Sequence, residues 1–324
     1  MAALHELSAA ELAAQYASRA VSPVDVTLAC LEHIDACEGS LNAMYRVDRD
    51  GAAAAARAAE ERWRAGRPLS PLDGVPVTIK ENIYTRGDPA PIGTRANEDA
   101  PAQPADAPPS ARARDAGCVI LGKTTMPDYG MLSSGLSSIH GITRNPWKLD
   151  RNTSGSSSGA GAAAAAGYGP LHIGTDIGGS VRLPATHCGI FALKPSLGRI
   201  PIYPPYIGRV AGPMTRTVRD SALLLNALAK PDARDFMSLP DEPRDYAAEL
   251  ERLDVKEDVR MRVLVGHLRQ RAGDVGAFRR VELHGEGMMR PCRRRGEQDE
   301  KTERDAGCRF HCGRLQTSGP RNRT

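Results

Sequence analysis

The chain has 324 residues, 41% of them hydrophobic and only 4% aromatic, so it can bury one large core or two ordinary ones, with helices and turns packed on Ala and Gly more than on rings. Its net charge of +4 is carried by the end, because residues 269–324 hold 14 Arg or Lys against 8 Asp or Glu; the body before them offers no polyanion-binding footprint. Seven cysteines (Cys30, Cys37, Cys118, Cys188, Cys292, Cys308 and Cys312) form no regular framework, no basic-then-apolar leader opens the chain, and no apolar stretch approaches the roughly 18 residues of a membrane span, which together predict a soluble, cytoplasmic protein with reduced thiols.

In chain order the pattern predicts helices first. Ser8 with Glu11 makes a capping box ahead of Leu12, and Ser22-Pro23-Val24-Asp25 supplies a cap, a first-turn proline and an early acid before Val26, Leu28, Leu31 and Ile34. A third, Ala-rich helix is expected over about 50–65. Residues 71–80 read as a turn leading into a short β-branched strand that ends at Lys80. Residues 87–109, rich in Pro and Ala and without a period, read as a surface loop. Beyond them the expectation is a helix over 111–116, a buried strand over 118–122 and a further helical start over 127–132. A loop of small residues from Asn152 to Gly159 then feeds an Ala helix over 162–166, presenting backbone N–H groups and hydroxyls together. The strand 171–176 enters the turn Ile177-Gly178-Gly179-Ser180, residues 189–193 read as another buried strand, and 217–228 as a helix with Ala222, Leu223, Leu225 and Leu228 at helical spacing. This alternation predicts an α/β layered fold around a central sheet.

Taken singly, the functional signals are bland: a Gly/Ser loop is usually a linker and a strand-end lysine is usually solvated. Residues 117–124 match G-x-x-x-x-G-K-[ST], the pattern of a nucleotide-binding loop. The four residues between its glycines, Cys118-Val119-Ile120-Leu121, read as the strand itself, a polar helix precedes Gly117, and Pro127 interrupts the helix that should begin at Lys123, so nucleotide binding is not expected.

Three features nevertheless come in one order: Lys80 at a strand end, a serine cluster at Ser156, and Gly178-Gly179-Ser180. The segments GVPVTIKEN, GSSSGAGAAAA and GTDIGGSVRLPATHCGIFALKPS, flanked by NPWK and GPMTRTVRDSALLL, resemble the core motifs of the amidase signature family, over a span from the first helices to about residue 265. The resemblance implies a central mixed β-sheet covered by helices on both faces, and hydrolysis of a carboxamide to a carboxylate and ammonia or an amine through an acyl-enzyme. It implies a Ser-Ser-Lys site in which Ser180 is the nucleophile, Ser156 a bridging serine that precedes an unusual cis peptide, and Lys80 the base, with an oxyanion hole at Ile177, Gly178, Gly179 and Ser180. The chemistry of those residue types agrees. A serine hydroxyl is a weak nucleophile until a base takes its proton, and a lysine can be that base only where burial keeps its amine neutral. A second hydroxyl, able to donate and accept at once, can relay the proton, so no histidine, metal or cofactor is required. Asp176 and Arg182 are expected to fix the turn by hydrogen bonds and Ser157 to hold Lys80, with plain structural capping as the alternative for all three. Where family members usually show Gly-Gly before the first serine, this chain has Ser154-Gly155, preceded by Thr153.

The implied partner is a small-molecule amide, with no membrane and with nucleic acid only if the chain works in a tRNA amidotransferase; a homodimer is left open. Two alternatives stand beside the amidase reading: the A subunit of glutamyl-tRNA amidotransferase, which uses the same site to release ammonia from glutamine for a partner protein, and an inactive remnant that only binds. The expected division is an amidase signature domain over 1–268 and an Arg/Gly/Cys-rich, disordered tail over 269–324. Val263-Leu264-Val265-Gly266 reads as a strand, but residues 290–324 contain only two large apolar side chains, Phe310 and Leu315. Cys308, His311 and Cys312 lack the paired arrangement of a zinc module. The tail reads as a shifted reading frame that leaves the family fold incomplete at its C-terminal end, and such a chain is expected to be poorly stable, because a handful of uncovered apolar side chains rivals a domain's whole stability.

Overall fold

The computed structural model describes residues 3–252. The expected strand over 263–266, the domain boundary at 268, the tail and its Cys308, His311 and Cys312 all lie outside the described residues.

The first two helices start where the capping signals put them. In α1 (Ala9–Ala17) the Ser8 hydroxyl accepts from the Glu11 N–H at 3.2 Å while the Glu11 carboxylate accepts from the Ser8 N–H at 2.8 Å. In α2 (Pro23–Leu41) Ser22 caps, Pro23 occupies the first turn, and the helix stops at Asn42, whose φ of 53° is left-handed. Strand β1 (Met44–Val47) and helix α3 (Arg49–Arg64) follow, the latter burying Ala52, Ala56 and Ala59 on one face.

Strand β2 (Pro76–Lys80), helix α4 (Pro108–Asp115) and strand β3 (Val119–Thr124) come next. The helix begins three residues before the expected Ala111, because Pro108 and Pro109 take its first turn, where a missing N–H costs nothing. Two small hairpins, β4 (Leu136–Ser137) with β5 (Gly141–Ile142) and β6 (Arg144–Asn145) with β7 (Lys148–Asn152), cross the surface before helix α5 (Ser158–Ala166). Strand β8 (Leu171–Asp176), helix α6 (Arg182–Cys188), strands β9 (Phe191–Ala192) and β10 (Val210–Thr215), and helices α7 (Val218–Leu228) and α8 (Tyr246–Arg252) complete the described chain.

Six strands form one mixed sheet in the order β1-β3-β2-β8-β10-β9. β2 runs parallel to both β3 and β8, while β1, β10 and β9 pair antiparallel. Every residue of β2, β3, β8 and β10 is buried. Successive side chains on a strand point to opposite faces, so the sheet is covered on both, as the sequence predicts. Helix α5 packs across β2, β3, β8 and β10, and α3 and α7 pack against β3 and β10.

Two expectations fail. Residues 127–132 are not a helical start: only a 3-10 turn spans Asp128–Gly130, and Tyr129 inside it has a φ of 50°, which no right-handed helix accommodates. The stretch 189–193 is not a buried strand; only Phe191 and Ala192 pair, at the sheet edge, and both are half-buried. Gly189, at φ +66°, belongs instead to the left-handed cap of α6. The G-x-x-x-x-G-K-T match is indeed strand: Val119–Thr124 is β3, its Lys123 side chain buried and donating to the Ile83 carbonyl.

Candidate active site

Parallel neighbours β2 and β8 end together, with Ile79 opposite Ile173, so the residues that follow, Lys80 and the Thr175–Ser180 segment, emerge together at the carboxyl ends of the two central strands. The loop that leads into α5, carrying Ser156 and the N-cap residue Ser157, meets them there. The Ser157 N–H donates to the Ser180 carbonyl at 3.1 Å, which ties the serine loop to the glycine turn.

Lys80 is fully buried. Its Nζ lies 2.9 Å from Ser156 Oγ, 3.0 Å from Ser157 Oγ and 2.9 Å from Thr175 Oγ1. Three acceptors match the three protons of an ammonium; a neutral amine would donate to two and accept from the third. Burial pushes the amine down to about 7, helped by the positive charge of Arg209 and opposed by Asp176 and Glu81. Ser157 Oγ also donates to the Thr175 carbonyl at 3.1 Å and accepts from the Thr175 N–H at 3.2 Å, so its position is set by β8 as well as by α5.

The peptide bond Gly155–Ser156 is cis. It lies before Ser156, whereas the sequence expectation put the cis bond after it. Ser154 takes a φ of 60°, the left-handed conformation that glycine adopts without cost, and its N–H donates to Asn152 Oδ1 at 2.6 Å. The loop thus keeps a glycine-like turn at a position that is serine here.

Asp176 organises the turn. Its carboxylate accepts from the N–H groups of Gly179 (2.9 Å) and Val181 (3.0 Å) and from Arg182 Nε (3.1 Å) and Nη2 (2.9 Å). Burial opposes its charge, but the Arg182 guanidinium and the two backbone donors prevail and hold the carboxyl below its ordinary range. Gly179 has a φ of +115°, and a Cβ there would stand 2.9 Å from Leu183 Cγ, so only glycine fits. Ile177 and Gly178 are exposed and Ser180 is half-buried. Because the Gly179 N–H is spent on Asp176, the backbone donors without a partner among the described residues are those of Ile177, Gly178 and Ser180. The Ser180 hydroxyl likewise has no hydrogen-bond partner among them.

Lys80, Ser156, Ser157, Asp176, Ile177, Gly178, Gly179, Ser180 and Arg182 therefore lie in this cluster, whereas Lys123 of the G-x-x-x-x-G-K-T match lies outside it. Thr175 was not singled out: as the penultimate residue of a strand it reads as an ordinary β-former, although it stands inside the GTDIGGS segment. Asn82, in the KEN segment, was also missed, and its Nδ2 donates to Thr175 Oγ1 at 3.1 Å. Among the described residues no group of three or more His, Cys, Asp or Glu side chains could hold a metal ion, and no helix is long and apolar enough to cross a membrane. Cys30, Cys37, Cys118 and Cys188 are buried and form no disulfide among the described residues.

Comparisons with known proteins bear on the family of the chain. The family model described as Amidase matches residues 25–263. The chain is 43% identical over 282 residues to the A subunit of a glutamyl-tRNA(Gln) amidotransferase from Acidothermus cellulolyticus, covering 85% of this chain and 54% of that protein. It is 41% identical over 258 residues to an acylamidase of Rhodococcus erythropolis, covering 78% of this chain and 54% of that one. A bacterial aryl acylamidase of the amidase signature family superposes with a TM-score of 0.71 at 34% identity, over 77% of this chain and 52% of the other. The chain spans about half the length of the curated relatives it matches. With the matched model, the identities and the shared fold together, this chain belongs to the amidase signature family.

Proposed function

We propose that this chain carries the catalytic site of a serine amidase that hydrolyses a carboxamide through an acyl-enzyme. The observation that carries the reading is the buried Lys80 amine, 2.9 Å from Ser156 Oγ and held near neutrality by its surroundings. In this scheme the Ser180 hydroxyl attacks the amide carbonyl as its proton passes to Ser156 and the Ser156 proton passes to neutral Lys80. The oxyanion forms against the N–H groups of Ile177, Gly178 and Ser180 rather than that of Gly179, which Asp176 occupies. The C–N bond then breaks as Ser156 protonates the departing nitrogen and recovers a proton from Lys80. Water, deprotonated by the same relay, hydrolyses the ester to release the carboxylate and restore Ser180. Asp176 and Arg182 set the turn, and Ser157 and Thr175 set the lysine.

A second reading, the glutamine-hydrolysing component of a tRNA-dependent amidotransferase, is favoured by the 43% identity to such a protein. The two separate on substrate: ammonia release from free glutamine, enhanced by partner proteins, supports the amidotransferase role, while turnover of aryl or aliphatic amides by the chain alone supports the amidase. No turnover of any amide, with no covalent labelling of Ser180, would reject both.

A further inference from the structure

Arg209 stands at the mouth of this cluster. Val210, the first residue of β10, is in register with Asp176, the last of β8, so Arg209 leaves the sheet directly opposite the Asp176–Ser180 turn. Its side chain is half-buried. It donates one hydrogen bond, from Nη2 to the Pro204 carbonyl at 2.7 Å, and its Cζ lies 5.4 Å from the centre of the Tyr206 ring. Among the described residues no carboxylate comes within ion-pair distance of it. Asp235, the acid that acts on it from further away, is spent on the N–H groups of Ile202 and Met237 at 2.9 Å each. Arg216 is a useful contrast. It too lacks a carboxylate, but its guanidinium is met by the carbonyls of Ala164, Gly169, Glu6 and Leu7. Arg209, with five N–H donors and one acceptor, keeps most of its fork unspent beside the reacting groups. Its charge is felt there, since it is second only to burial in disfavouring the protonated form of Lys80.

We propose that Arg209 selects amide substrates that carry a carboxylate, by receiving that carboxylate on its free N–H groups while the amide carbonyl sits at the Ile177–Ser180 turn. A planar guanidinium with parallel donors matches a carboxylate in two hydrogen bonds at once, and partial burial strengthens the pair relative to water. Tyr206 below the guanidinium limits the directions it can take. This assignment rests on the Ser180 acyl-enzyme reading, and the test separates the two.

Two alkyl fluorophosphonates of equal length, one neutral and one ending in a carboxylate, are reacted with the full chain, and the rate of Ser180 phosphonylation is followed by intact mass. The ratio of the two rates cancels any common effect of Arg209 on the basicity of Lys80. The wild-type chain should prefer the acidic reagent at least tenfold, Arg209→Gln should lower that ratio at least tenfold, and Arg209→Lys should restore part of it. Labelling of Ser180 with a ratio that Arg209→Gln leaves unchanged overturns the role of Arg209 alone. No labelling of Ser180 by either reagent, in proteins with unaltered melting, overturns the acyl-enzyme reading and this inference with it.

Discussion

Lys80 Nζ and Ser156 Oγ, 76 positions apart in the chain, lie 2.9 Å apart in the fold, with the lysine wholly withdrawn from water. The contact joins the end of β2 to the N-terminus of α5, and the proposed chemistry depends on it. If Lys80 takes the proton, it must be neutral in the resting enzyme. With its amine pushed down to about 7 by burial, kcat/KM should rise with pH through that value and level off above it. A pH–rate profile that falls across this range contradicts the lysine as base.

Substitution of the three relay residues should not be equal in effect. Ser180→Ala removes the atom that forms the ester and should abolish amide hydrolysis. Ser156→Ala and Lys80→Met leave the nucleophile in place and should reduce kcat by roughly a thousandfold or more, with double variants no worse than the worst single one, as for residues that act as a unit. Steady-state kinetics on the purified variants decide it; additive losses would mean that Ser156 and Lys80 act separately.

Thr175 offers a more specific check, because its hydroxyl is one of three acceptors around the Lys80 amine. Thr175→Val keeps the shape and removes the acceptor, which favours the uncharged amine. The acidic limb of the pH–rate profile should move to lower pH, while kcat on the plateau falls about tenfold as the lysine loses one of its fixed points. An unshifted limb would mean that Thr175 does not touch the working amine.

Lys123 is a second fully buried lysine, also pushed down to about 7 by burial, and it takes no part in the proposed reaction. In the unfolded chain its pKa returns to roughly 10.4. Between the two values the unfolded state binds the extra proton, so stability rises with pH across that window, by at most about 1.4 kcal/mol per pH unit; it is lost as pH falls from about 10.4 towards about 7 and levels off below, where both states are protonated. Lys123→Met should therefore flatten the rise of Tm with pH across this window. Parallel Tm–pH curves for variant and parent would contradict the assignment.

What could be read from the sequence, and what could not, follows from where each signal resides. Ser8 with Glu11, Ser22 with Pro23, and Thr217 at the start of α7 are local devices, complete within a few residues, and each helix begins where they stand. The strand ending at Lys80 was equally legible from its β-branched run. Strand β10 was not: Val-Ala-Gly-Pro-Met-Thr has no alternation, and Pro213, paired with Ile173 inside the sheet, argues from sequence against a strand. Helix α6 escaped notice because it is seven residues long and contains Pro184. In the site, the motif residues were legible because they lie in three short segments. The commitment of the Gly179 N–H to Asp176 and the place of Thr175 on Lys80 depend on strand register, and Arg209 enters only because β10 pairs with β8.

The most direct test of the account is the identity of the acylated residue. The chain is treated with a slowly hydrolysed activated ester or a serine-directed phosphonate, digested, and the modified peptide sequenced by mass spectrometry. The account predicts one adduct, on Ser180, absent from Ser180→Ala and formed far more slowly in Lys80→Met. An adduct on any other residue, or one that persists undiminished in Ser180→Ala, would contradict it.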